Sequence, residues 1–314
     1  MLVTFTNTLL QMLKLAIMLG VGFAFRKLKA VPESFNVVIS KLATTLFLPA
    51  LQLNTFMTNC TVENFSRNAP LLLYGVLLVA LLIAAGYTLA KPFTGQGGYQ
   101  MHVMRYAVAF PNTGAFLIPL TMVLMTSEEL FFQMLFLMCM TFMCYSWGIV
   151  QLLPSNDGTS ILKKLVNPNT VMIAVGAILG LTGLGKRLPQ VVCDAVEAFG
   201  AGYTPMSLML VGYVIAGFKL EDMLPTARTW LFIFVRMIVL PMALLFFMKL
   251  IGAPYYACYF TCAAVACPAG MNAVVYPVAY GQDCRFGAAL VLCSTAVSVV
   301  TIPLMYALMS MVLG

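Results

Sequence analysis

The chain has 314 residues, of which 62% are hydrophobic and 9% charged, with a mean hydropathy of +0.97. A soluble domain carries roughly 25% charged residues, so this composition excludes a soluble enzyme or binding module and leaves no length for a separate soluble domain. The net charge of +7 does not point to nucleic acid as a partner, because Lys and Arg fall mostly in short loops, where they set membrane orientation.

Apolar runs of about 20 residues, the length that crosses a bilayer, lie near 5–25, 35–57, 69–90, 102–125 and 129–153. A polar connector separates them from runs near 168–184, 190–217, 228–250, 255–280 and 287–313. The start of the chain lacks a basic n-region, and the first run ends without a small-residue cleavage site, so it is expected to be a retained helix. The expected fold is an all-α integral membrane protein of ten transmembrane helices. Residues 1–153 form a first five-helix repeat, 154–167 a cytoplasmic connector and 168–314 a second repeat. Five is odd, so the second repeat enters from the opposite side and the topology is inverted.

The fourth run is interrupted. Residues 105–119 read RYAVAFPNTGAFLIP, with Pro111 near mid-depth and Asn112, Thr113 and Gly114 directly after it. Proline removes a backbone donor and clashes with the preceding turn, and groups freed in hydrocarbon need protein or a water-lined cavity to satisfy them. The ninth run repeats the feature at residues 263–277, AAVACPAGMNAVVYP, with Pro268 followed by Gly270, Met271 and Asn272. The two prolines are 268 − 111 = 157 residues apart, half the chain. A second pair, FLPALQL at 47–53 and YTPMSLM at 203–209, obeys nearly the same offset, 205 − 49 = 156. A helix break at mid-membrane is a candidate binding site, and the chain makes it twice.

Charged residues set the orientation and mark further candidates. Loops after runs 1, 3, 5, 7 and 9 carry nine Lys and Arg residues, and those on the other face carry four. That asymmetry places both termini outside. Lys14 lies near the middle of run 1 and Arg236 well inside run 8. Such cations are rare in membranes and usually face the protein interior or an aqueous path, so both are candidates for charge coupling. Gly176 with Gly180, and Gly20 with Gly22, are expected to let helices approach closely. The nine cysteines fit no zinc spacing, and His102 is the sole histidine, so neither a metal nor a cofactor is expected. Cys60 is expected in an outside loop and Cys284 in a cytoplasmic one.

These pieces together resemble the auxin efflux carrier family in its compact bacterial form, which includes malonate and malate transporters and the plant auxin exporters. The resemblance rests on Leu48-Pro49-Ala50, Pro111-Asn112-Thr113-Gly114, Ile118-Pro119-Leu120, Asn167-Pro168-Asn169-Thr170, the run from Met206 to Gly217, and Pro268 to Tyr280 followed by Gly281. It covers essentially the whole chain. It implies the ten-helix fold of bile-acid and sodium/proton transporters, in which the broken fourth and ninth helices cross, with spans 1, 2, 6 and 7 as scaffold and the rest as a mobile core. By motif position Asn112 matches the crossover asparagine, and Gln52 and Asn54 match polar positions after the proline of span 2. Ser207 falls within the span 7 motif. Ala269-Gly270 stands where plant members often carry Gln-Gly, a departure from the pattern.

The expected function is a secondary active transporter of small organic anions, such as dicarboxylates or auxin-like acids, across the cell membrane by elevator-type alternating access. Two half-helices beginning after Pro111 and Pro268 aim positive N-termini at the site, and Asn112 and Asn272 add neutral donors. Substrate and lipid bilayer are the expected partners, and a homodimer is left open. The alternatives are a cation-coupled symporter or antiporter with its ion at the crossover, and a passive channel. An enzyme is not expected, since HExxH, paired intramembrane aspartates and a Ser–His pair are all missing from the sequence.

Overall fold

A computed structural model describes residues 2–94, 98–152, 167–217, 226–279, 282 and 285–314. The connector expected at 154–167 falls outside them except for its last residue, and Cys284 also lies outside the described residues. Regular structure among the described residues is helical throughout. The helices are α1 (Leu2–Lys27), α2 (Phe35–Asn59), the short α3 (Val62–Asn68), α4 (Pro70–Thr94), α5 (Tyr99–Ala109), α6 (Thr113–Leu124) and α7 (Ser127–Leu152). After the connector come α8 (Pro168–Thr182), α9 (Gln190–Ala216), α10 (Ala227–Leu250), α11 (Tyr255–Val265), α12 (Asn272–Ala279) and α13 (Arg285–Leu313). Among the described residues the apolar runs fall mostly on helix, and the fourth and ninth are interrupted at residues 110–112 and 266–271. Among the described residues seven helices are long and apolar enough to cross a membrane, while α6 and α8 are apolar but shorter.

Proline shapes three of these helices in one way. A proline lacks the N–H that would bond the carbonyl four residues back, and its ring crowds that carbonyl. In α2, α6 and α10 a π-helical turn (Ala43–Phe47, Thr113–Leu117, Val235–Val239) precedes Pro49, Pro119 and Pro241 by the same two-residue step. The wider turn gives the ring room and keeps the span helical. Asn167 opens α8 differently. Its side chain accepts from the N–H groups of Asn169 and Thr170, and Pro168 occupies the first helical position, where a missing donor costs nothing.

Close backbone approach builds the packing. Helix α1 runs along the second half of α9, and α2 packs against α8 and α9. A Cβ on Gly22 would fall 2.0 Å from the Met209 carbonyl oxygen, and one on Gly212 would fall 1.8 Å from that of Leu19. Gly176 and Gly180 likewise rest against Phe56, and Gly180 also against the Cys60 carbonyl. Gly20, by contrast, has nothing within 4 Å of its Cβ position. Cys60, expected in an accessible loop, is 1% exposed because α8 covers it. A second set of contacts joins α4 to α5 and α7, α10 to α11, and α11 and α12 to α13, with α1 also touching α13. Gly75, Gly86 and Gly287 bring backbones close within this set, against Phe136, Arg105 and Ala273, as suits helices that in lipid gain from packing rather than from water release.

Candidate functional site at the crossing

Helix α5 stops at Ala109 because Pro111 offers no N–H, and Phe110 then turns extended (φ −123°, ψ 94°). Helix α11 stops at Val265 just ahead of Pro268. Between the stops the two segments pass antiparallel, with Pro111 opposite Ala269. The N–H of Asn112 donates to the Pro268 carbonyl at 2.8 Å, and that of Gly270 donates to the Phe110 carbonyl at 3.0 Å. A Cβ on Gly270 would sit 2.7 Å from that same oxygen, so the pairing needs glycine there. Ala269 completes the set by donating its N–H to Ser294 Oγ at 3.1 Å. The break therefore satisfies its own backbone inside the protein, as hydrocarbon requires.

Arg236 closes the remaining gaps. It stands in the π-helical turn of α10 and is 1% exposed. Its Nε donates to the Ala107 carbonyl at 2.9 Å, and one Nη donates to the carbonyls of Val265 and Cys267 at 2.7 and 2.8 Å. Ala107 is the acceptor four residues before Pro111, and Val265 is four before Ala269, whose N–H goes to Ser294 instead. One guanidinium thus caps the C-terminal ends of both broken helices, where a cation also complements the dipoles.

The outgoing halves begin at the same place. Asn112 Oδ1 accepts from the Ala115 N–H at 3.4 Å and caps α6. That bond fixes the amide so that Nδ2 is turned away, buried and without a protein partner. Asn272 opens α12, its Nδ2 lying 3.7 Å from Cys144 Sγ.

A cavity of about 280 Å³ lies against the crossing. Nine of the residues expected at the site line it: Gln52, Pro111, Asn112, Thr113, Gly114, Ser207, Gly270, Met271 and Asn272. Sequence reasoning missed Gln133, Asn169 and Tyr203, which line it too. Gln133 is fully buried in α7, where Thr121 Oγ1 donates to its Oε1. Its Nε2, together with Gln52 Oε1 and Asn169 Oδ1, is buried without a protein partner. Unpaired amide atoms converging on one cavity are costly unless something polar enters it. A lone glutamine inside the run FFQMLFLM was the available signal for Gln133.

Four expected residues lie elsewhere. Pro268 is buried in the crossing itself, and Arg236 stands behind it, outside the lining. Asn54 is half-buried on α2 and does not reach the cavity. Lys14 is exposed on the outer face of α1 beside Leu13 and Ile17, which are also exposed, and not in the interior. Among the described residues, no Asp or Glu side chain lines the cavity.

A family model described as membrane transport protein matches residues 8–306. No curated protein matches the chain.

Proposed function

The chain belongs to the auxin efflux carrier family of membrane transport proteins, and from that premise we propose that it is a secondary transporter of small organic anions. The carrying observation is the lining of the crossing cavity. Its described residues offer neutral amides, hydroxyls and backbone, with no carboxylate among them to repel an anion. Hydrogen bonds to a charged group contribute roughly 1.5–3 kcal/mol each, and the half-helix N-termini of α6 and α12 add a favourable field. A cation-coupled carrier with its ion at the crossover is supported less well, because the described lining residues provide no formal negative charge.

The packing suggests how the cavity moves. Helices α1, α2, α8 and α9 hold one another through glycine seams, and these correspond to spans 1, 2, 6 and 7 of a ten-span inverted repeat. They make a scaffold. The crossing, α7, α10 and α13 make a core that slides against it in an elevator-type step. The cavity is lined from both sides of that division, by Gln52, Asn169 and Ser207 on one and Asn112, Gln133 and Asn272 on the other. Its exposed lining residues include Thr44, in the first half of α2 after the basic stretch Arg26–Lys29. This supports a cavity open toward the cytoplasm.

Counterflow in proteoliposomes is the test. Saturable uptake of a labelled carboxylate, accelerated by internal unlabelled carboxylate, is the expected result. Uptake that neither saturates nor exchanges would instead identify a passive channel. Pro111→Ala and Pro268→Ala should insert normally yet transport far more slowly, because each restores a helical N–H that competes with the crossing. Wild-type transport by both variants would remove the crossing from the mechanism.

A further inference from the structure

Charge at the crossing does not cancel. Two helix N-termini (α6, α12) and two C-termini (α5, α11) meet there, each carrying roughly half an elementary charge. The two positive and two negative ends offset one another. Arg236 then adds a full cation, placed on the C-terminal carbonyls of both incoming halves. Among the described residues its hydrogen bonds all go to backbone carbonyls and none to a carboxylate. Cys267, one of these acceptors, directly precedes Pro268, whose own carbonyl holds Asn112. Asn112 lines the cavity and Pro268 does not, so the guanidinium lies behind the cavity wall with Cys267 and Pro268 between.

From this geometry we infer that Arg236 sets the crossing at about one net positive charge and selects a monovalent carboxylate over a dianion or a neutral amide. The inference rests on the proposed organic-anion reading and narrows its substrate class. A single carboxylate against Asn112 and the half-helix ends neutralises the site. A second carboxylate finds only neutral amides and hydroxyls among the other described lining residues, such as Gln52, Gln133, Asn169 and Ser207, and is left as a buried uncompensated charge. A neutral amide leaves the Arg236 charge itself uncompensated. Arg236 does not line the cavity, so it acts as a positioning residue through the carbonyls it holds and the field it adds.

Binding to the purified full-length protein at neutral pH tests the inference with two matched triplets. They are succinate, succinamate and succinamide, and phthalate, phthalamate and phthalamide. The monoanion of at least one triplet should bind about tenfold or more tighter than both its dianion and its neutral diamide, a difference of about 1.4 kcal/mol. Arg236→Met should abolish the advantage of monoanion over diamide. Arg236→Lys should keep it with weaker overall binding, since Lys retains the charge but not the planar fork. A purely structural arginine would lower all three affinities together and leave their ratios unchanged, which overturns the inference. So does a wild-type protein that binds the dianion as tightly as the monoanion. If Arg236→Met does not fold, the wild-type and Arg236→Lys ratios still decide. Carboxylate uptake with a dianion preference would sink the charge assignment alone. Neither binding nor uptake of any of these carboxylates would sink the organic-anion reading with it.

Discussion

The Nε–H of Arg236 donates at 2.9 Å to the carbonyl of Ala107, the acceptor that Pro111 leaves without its helical donor. A helix break in one half of the chain is therefore completed by a side chain from the other half. Proline creates the vacancy locally, and a tertiary contact fills it. The crossing is thereby tied together by hydrogen bonds from both halves of the chain.

Asn112 carries two functions on one amide. Its Oδ1 caps α6 through Ala115, and its Nδ2 is the unpaired donor beside the cavity. Asn112→Ala loses both and should weaken a carboxylate substrate by about one to two decades, with 1.4 kcal/mol for each tenfold. Asn112→Asp keeps the cap but replaces the donor with a negative charge, so it should bind the carboxylate worse than Ala does. Affinity measured at neutral pH for the wild type and both variants gives the order. A cation site would reverse it, with Asp matching or exceeding the wild type.

The seam between α1 and α9 depends on specific glycines. Gly212→Ala and Gly22→Ala each drive a methyl group into a carbonyl oxygen, so each should destabilise the protein by about 1–3 kcal/mol. Gly20→Ala, on the same helix with open space around it, should be neutral. Melting temperatures in detergent make the comparison. Equal losses at all three positions would mean that the glycines do not set the tightness of the seam.

Orientation is open to thiol labelling, though not with the cysteine the sequence suggested. Cys60 is buried and should resist an impermeant maleimide until the protein is denatured. Cys193 is half-buried in the first turn of α9, on the face the positive-inside asymmetry places outside. It should label in intact cells. A cysteine introduced as Lys29→Cys in a Cys193→Ser background occupies an exposed site on the opposite face and should be spared. The reverse pattern would invert the topology.

Much of this was legible in the sequence because proline and apolar length act locally. The breaks at Pro111 and Pro268 and the start of α8 at Asn167-Pro168 follow from chemistry within a few residues of each. What the sequence hid depends on distant packing. Lys14 and Arg236 look alike as cations in apolar runs, yet one is exposed and the other buried among carbonyls. Arg236's partners are backbone groups, which every residue carries and no motif marks. Gln133 and Asn169 reach the cavity only because α7 and α8 converge on it, and Cys60 is hidden only because Gly180 lets α8 approach.

The pairing of Phe110 and Asn112 with Pro268 and Gly270 has a consequence for how the chain is made. Residue 112 is synthesised 268 − 112 = 156 residues before its acceptor. Until then the Phe110 carbonyl and the Asn112 N–H have no partner, and the Ala107 carbonyl still awaits Arg236. Each such group costs several kcal/mol in hydrocarbon. The first half of the chain is therefore not a finished membrane body when it emerges. Its broken segment must stay hydrated or sheltered in the insertion machinery, and release into lipid becomes favourable only once residues 236 and 268–270 have arrived.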